Sequence, residues 1–102
     1  MMNDRLRGAV GLAMKAGKCR SGDFIVEKML KRDQIVLVLI DDTVSAATRE
    51  RYTEACEKRG IPLLFVEEPG PAIGKPAHRI LGITDSGFQK MIMNAYNASN
   101  GI

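Results

Sequence analysis

Six consecutive apolar residues, Ile35-Val36-Leu37-Val38-Leu39-Ile40, constrain this chain more than any other stretch. The run has no polar residue at alternate positions, so a strand made from it buries both of its faces. Six residues are also short for a buried helix, which makes a central strand the better reading. Such a strand demands cover on both sides of its sheet, and the segments around it carry the helical spacing to supply it.

Residues 4–16 place Leu6, Ala9, Val10 and Ala13 at the i, i+3, i+4, i+7 spacing of one buried helical face, with Asn3 or Asp4 as cap and Gly17 as the stop. A second helix is expected over about residues 22–31, with Ile25, Val26, Met29 and Leu30 inward and Phe24, Glu27, Lys28 and Lys31 outward. After the strand come Asp41 and Asp42, then a helix from the capping Ser45 to Arg59, with Tyr52, Ala55 and Cys56 inward and Gly60 at its end. Residues 61–66 read as a second strand, parallel to the first through a right-handed βαβ crossover. Three prolines and two glycines make residues 67–77 a shaped surface loop with room for one helical turn. Residues 79–84 read as a third strand. Asp85 or Ser86 then caps a last helix whose inner face is Phe88, Met91, Ile92 and Ala95, with Met93 pointing elsewhere and residues 97–102 frayed. The order α, α, β, α, β, loop, β, α predicts an α/β fold, a three-layer α/β/α sandwich with a small mixed sheet. All 102 residues are expected to form one domain.

Charge is unevenly spread along this frame. Residues 1–34 hold eight Lys/Arg against four Asp/Glu, residues 35–68 four against seven, and residues 69–102 three against one. The ends are basic and the middle is acidic, so a fold that brings the ends together acquires a basic face suited to nucleic acid. The stretch Gly17–Lys28 is where such a face would form. A Gly-bounded loop carrying Lys18 and Arg20 runs into a helix start, with Ser21 as its expected cap and Asp23 in its first turn. Free N–H groups at a helix start attract phosphate, and Lys28 and Lys31 add charge one and two turns along. The plain alternative is an ordinary helix entry in a solvated basic loop.

Other chemistries are poorly served. Asp41 and Asp42 stand at the end of a buried strand, where open α/β sheets place ligands, but no third metal ligand lies near them in sequence. Solvated turn residues are the better account, and catalysis by this pair is the least favoured reading of the chain. Cys19 and Cys56 match neither a disulfide framework nor a metal spacing, and both are expected as reduced thiols. His78, the single histidine, suits a loop position or a phosphate contact. No nucleotide-binding loop, nucleophile elbow or zinc motif occurs, and an aromatic content of 5% excludes a stacking sheet of the RRM type. No enzyme activity, cofactor or metal is expected. The absence of a long apolar run or a signal-like N-terminus points to the cytoplasm and away from membranes.

Gly11-Leu12-Ala13, Ala16-Gly17-Lys18, Ser21-Gly22, Lys28, the strand closed by acids, Cys56, Gly60-Ile61-Pro62, Ile73-Gly74-Lys75-Pro76 and Gly87-Phe88 resemble, in this order and spacing, the kink-turn-binding ribosomal protein superfamily. Its best-known member is the archaeal large-subunit protein seven-Ae, and the bacterial YlxQ-like branch looks nearest. The resemblance covers roughly residues 5–96. It implies a non-enzymatic, ribosome-associated protein that binds structured RNA, ribosomal RNA or a kink-turn-like internal loop, with no DNA partner. Carried over by position, the RNA-binding residues are Lys18, Arg20, Ser21, Gly22, Asp23, Phe24, Ile25 and Lys28 of the first segment, joined by Ile73, Gly74, Lys75, Pro76, His78 and Arg79 of the loop before the last strand. Gly22 would let RNA backbone approach the helix start, unless it serves its own backbone angles. The chain departs from the family pattern at Phe24 and Ile25, which stand where Asn and Glu would bond sheared G·A pairs. Phe24 then either packs under residues 69–76 as a lid, the preferred role, or offers its face to an unstacked base. A protein-interaction module anchored on Phe24 and needing no RNA is the second function reading, and the oligomeric state stays open.

Overall fold

The apolar run becomes the centre of a four-stranded sheet in the computed structural model, which describes residues 2–99. Strand β2 (Leu37–Asp41) is buried at every position. It pairs in parallel with β3 (Leu63–Val66) and antiparallel with β4 (Ile80–Ile83), and β4 pairs antiparallel with β1 (Cys19–Ser21), giving the order β1-β4-β2-β3. The mixed sheet is the expected one, with one strand more.

Alternation along the strands sends side chains into two separate cores. Leu37, Leu39, Leu64, Val66, Leu81 and Ile83 face α1 (Asp4–Lys15) and α5 (Ser86–Ser99), where they meet Leu6, Val10, Ala13, Ile92 and Ala95. Val38, Ile40 and Ile80 face α2 (Asp23–Lys31) and α3 (Ala46–Arg59), where they meet Val26, Leu30, Tyr52 and Cys56. A short α4 (Pro69–Ala72) supplies the helical turn within the Pro-rich loop. Three layers result, because a sheet apolar on both faces is stable only when both are covered.

The caps are local and legible. Asn3 Oδ1 accepts from Leu6 N at 2.7 Å, Ser45 Oγ from Thr48 N at 3.2 Å, and Asp85 Oδ2 from Phe88 N at 2.9 Å. Asp85, rather than Ser86, therefore caps α5.

Four expectations change. Residues 19–21 are an edge strand, not loop; three residues are too few to show a period. Ser21 does not cap α2: Gly22 holds the N-cap position, no side chain caps the helix, and the serine hydroxyl is engaged elsewhere. On α5 the two methionines exchange roles. Met91 is 44% exposed, while Met93 packs against the core with Phe88 and Tyr96. Met91 and Met93 flank the Ile92 stripe about equally, and the docking of α5, held by Gln89 Nε2 donating to Val36 O at 2.7 Å, turns the Met93 flank inward. Finally, residues 97–99 continue the helix instead of fraying, and the rest of the expected frayed tail lies outside the described residues.

Candidate nucleic-acid interface

The two segments singled out in the sequence meet at the start of α2. Ser21 Oγ and His78 Nδ1 share a hydrogen bond of 2.7 Å across 57 residues, and Gly22 N donates to Ile80 O at 2.9 Å. The first-turn N–H groups of an uncapped helix therefore open beside the loop before β4. Gly22 has φ +110° and ψ 141°, a conformation that glycine alone adopts easily, and no atom outside its neighbours comes closer than 3.9 Å to where a Cβ would stand. Its own backbone angles therefore call for glycine here. A larger residue there strains the fold as well as narrowing the approach.

Lys18, Arg20, Lys28, Lys75 and Arg79 are exposed, as are Gly74 and Pro76, and Arg79 shares a cleft with Gly22 and His78. Lys18 is fixed through its main chain, with Thr84 N donating to its carbonyl at 3.0 Å. Lys75 lies near enough to Cys19 to act on its thiol, which burial pushes up to about 11 and the lysine partly draws back. Burial likewise raises Cys56 to about 11, and both cysteines are free and buried. Ile73 is half-buried against the α1–α5 core, so it shapes the loop from beneath. Lys31 stands apart. Two turns from the helix start, it lies 3.7 Å from Glu27 on the α2–α3 side.

A cleft of about 430 Å³ adjoins the site, lined by Gly22, Asp23, Val44, Ser45, Thr48, Ala77, His78, Arg79 and Ile80. It brings the starts of α2 and α3 together. Arg79 also borders an acidic depression formed with Asp41, Asp42, Glu67 and Glu68, so the basic face has a sharp edge there. Asp41 is buried, 7% exposed, and its Oδ1 accepts from Thr43 N at 2.8 Å and Thr43 Oγ1 at 2.6 Å. It shapes the turn from within the protein, which corrects the expectation of a solvated residue. Among the described residues no group of three or more His, Cys, Asp or Glu is arranged to hold a metal, and no helix is long and apolar enough to cross a membrane.

Phe24 and Asp23 depart most from expectation. The Phe24 ring is 80% exposed; nothing packs over it as a lid, and Lys28 Nζ lies 6.0 Å from its centroid. Residues 75–78 of the Pro-rich loop lie instead against Gly70 of α4, where a Cβ would meet the carbonyls of Lys75, Pro76 and His78. Ile25 is half-buried against the α2–α3 core, as its spacing implied.

Asp23 is claimed by α3. Arg51 grips its carboxylate with Nη1 and Nη2 at 2.9 and 2.8 Å and also reaches Glu27 at 3.0 Å, while the Tyr52 hydroxyl donates to Asp23 Oδ1 at 2.7 Å. The Arg51 bond holds the Asp23 carboxyl below the usual carboxylate value of 3.8, with Tyr52 adding to the effect and partial burial opposing it. Burial, then the Asp23 carboxylate, raises the Tyr52 phenol, which stays protonated as a donor. The negative charge at the start of α2 is thus largely offset. Arg51 and Tyr52 were missed in the sequence as site residues, since nothing in their spacing links them to residue 23. The sign of the linkage is testable. A lowered folded pKa contributes stability that is present above about 3.8 and lost as pH falls through the folded value. Asp23→Asn should therefore melt below wild type at pH 7, with the gap closing below about pH 4. A gap independent of pH would remove the ionised carboxylate from the account.

Comparison with known proteins places this geometry. Two curated relatives, each called RNA-binding protein YlxQ, are similar to the chain. The Bacillus subtilis (strain 168) protein is 32% identical over 88 residues, covering 83% of this chain and 88% of its own. The Enterococcus faecium protein is 31% identical over 84 residues, covering 79% and 81%. Among solved structures, a protein of unknown function from Bacillus halodurans C superposes with a TM-score of 0.87 at 24% identity, over 93% of this chain and 99% of that one. The Giardia lamblia 15.5kD RNA binding protein gives 0.77 at 16% identity, over 95% and 86%. Those two likenesses concern the fold. Residues 4–93 match the profile of one family across its elements from α1 into α5, and on that match, joined to the YlxQ relatives and the shared sandwich, the chain belongs to the ribosomal protein L7Ae/L30e/S12e/Gadd45 family.

Proposed function

We propose that this chain binds structured RNA, as one RNA-binding unit, through the basic face at the start of α2. The observation that carries the reading is the junction of residues 17–22 with residues 73–79 through Ser21 and His78, beside an uncapped helix N-terminus, with Lys18, Arg20, Lys28 and Lys75 exposed on the segments that meet there. The names of the YlxQ relatives support the same partner. Phosphate contacts supply affinity and positioning, and base contacts supply specificity. The first kind is well provided for here. For the second, Ile25 is turned toward the core and Phe24 has no polar group, so neither reads sheared G·A edges. The finer proposal is a ribosome-associated protein acting on ribosomal RNA or a kink-turn-like loop, with modest discrimination by base edge.

The test is binding of a kink-turn RNA and a straight duplex of equal length across a salt series. Lys28→Ala and Lys75→Ala should each weaken binding to both RNAs and reduce the salt slope by about one contact's worth. Arg79→Ala should have the smallest effect of the three, because the carboxylates of the depression it borders already hold part of its charge. Stability should change by no more than about 0.5 kcal/mol in any of them. No RNA binding at low salt, or unchanged affinity in all three variants, removes this face as the site.

A further inference from the structure

We propose that Phe24 is a stacking platform for one unpaired base, so that the RNA this chain prefers carries an extruded nucleotide beside a helical stem; the proposal rests on the RNA-binding reading above. Phe24 occupies the second position of α2, two residues beyond Gly22, and is 80% exposed. A phenyl group so exposed gains little from the fold, so burial does not account for it. Its surroundings fit a nucleotide. Lys28 Nζ, one helical turn on, sits 6.0 Å from the ring centroid, close enough to meet the phosphate of a nucleotide whose base lies on the ring. Lys18, Arg20 and Lys75 are exposed on the two segments that the Ser21–His78 bond joins, and Gly22 presents no side chain between them.

An apolar protein partner fits less well. Hydrophobic docking surfaces are contiguous patches of a few hundred square ångströms. The other large apolar side chains exposed among the described residues, Leu12 and Met91, belong to α1 and α5 in the opposite layer. One ring beside a lysine is too small for that partner and suited to a single base. Every base has a π face, so the platform selects an unpaired nucleotide without selecting its identity. Recognition thereby shifts from base edges, which Phe24 and Ile25 cannot read, to the shape of the RNA.

The experiment compares two hairpins with the same stem, one fully paired and one with a single unpaired nucleotide, at matched salt. Wild type, Phe24→Ala, Phe24→Leu and Phe24→Tyr are each checked first for an unchanged melting temperature, as the exposure of the ring predicts. Wild type should favour the bulged hairpin by about fivefold or more. Phe24→Ala should lose that preference while keeping its affinity for the paired stem and its salt slope. Phe24→Tyr should retain the preference, and Phe24→Leu should lose most of it. Equal binding of both hairpins by wild type, or full preference in Phe24→Ala, overturns the platform and leaves RNA binding standing. Full preference in Phe24→Leu replaces stacking with plain apolar contact and also overturns it. If wild type binds neither hairpin at low salt, the RNA-binding reading falls and this inference with it.

Discussion

Gly70→Ala should lower the melting temperature by roughly 10–20 °C, the equivalent of about 2–3 kcal/mol in a domain of this size. Gly70 is buried in α4, and a Cβ on it would collide with the carbonyl oxygens of His78 and Lys75 and stand 3.0 Å from that of Pro76. These are backbone atoms, so no rotamer change relieves the contact. The same carbonyls belong to the turn that Gly70 O holds by accepting from Lys75 N at 3.0 Å, with His78 N donating to Lys75 O at 2.9 Å. Lifting the turn displaces Lys75 and strains the Ser21–His78 bond, so RNA affinity should fall with stability. Gly74→Ala is the control. Gly74 has φ +74° but open space around it, so only backbone strain of about 1 kcal/mol is expected. Thermal unfolding of the two variants decides the point: similar melting temperatures would mean that α4 does not press against this loop.

Tyr52→Ala should cost about 3–5 kcal/mol, enough to unfold a marginal domain near 37 °C. The ring is 1% exposed and lies in the core between α2, α3 and the sheet. Its hydroxyl, which donates to Asp23 Oδ1 at 2.7 Å and reaches Asp23 O at 3.0 Å, ties the first turn of α2 to α3. Tyr52→Phe keeps the ring and removes that tie, for an expected loss of about 1.5–3 kcal/mol, since the acceptor is charged. In an Asp23→Asn background the loss should shrink, and chemical denaturation of the four proteins measures the coupling. A neutral Tyr52→Phe would show that the hydroxyl does not pin α2.

The candidate site was legible in part. Its basic residues and glycines stand out because charge and backbone freedom are properties of single residues, readable in order along the chain. The partnership of Asp23 with Arg51 and Tyr52 was not legible. Acid, base and phenol are 28 and 29 residues apart, and only the packing of α3 against α2 sets them within 3 Å. Phe24 was legible as outward-facing, yet not as uncovered, because a neighbouring loop's path depends on what that loop packs against.

The sequence by itself determined the central strand from residues 35–40, the helical faces around Leu6, Val26 and Tyr52, the caps at Asn3 and Ser45, and thus the layered order of the fold. Each of these rests on spacing within one turn or one pleat, where the chain's own periodicity decides which side is apolar. Tertiary structure alone decided the rest. Cys19–Ser21 became a strand because β4 offered an edge to pair with, not because three residues prefer extension. Met93, rather than Met91, turned inward because the docking of α5 set its rotation about its own axis. Ser21 does not cap α2 because His78, brought beside it by the β1–β4 pairing, offers its hydroxyl another partner. Local patterns report which face of an element is buried, but pairing, rotation and partners are settled by contacts between elements far apart in the chain, whose energies no local spacing encodes.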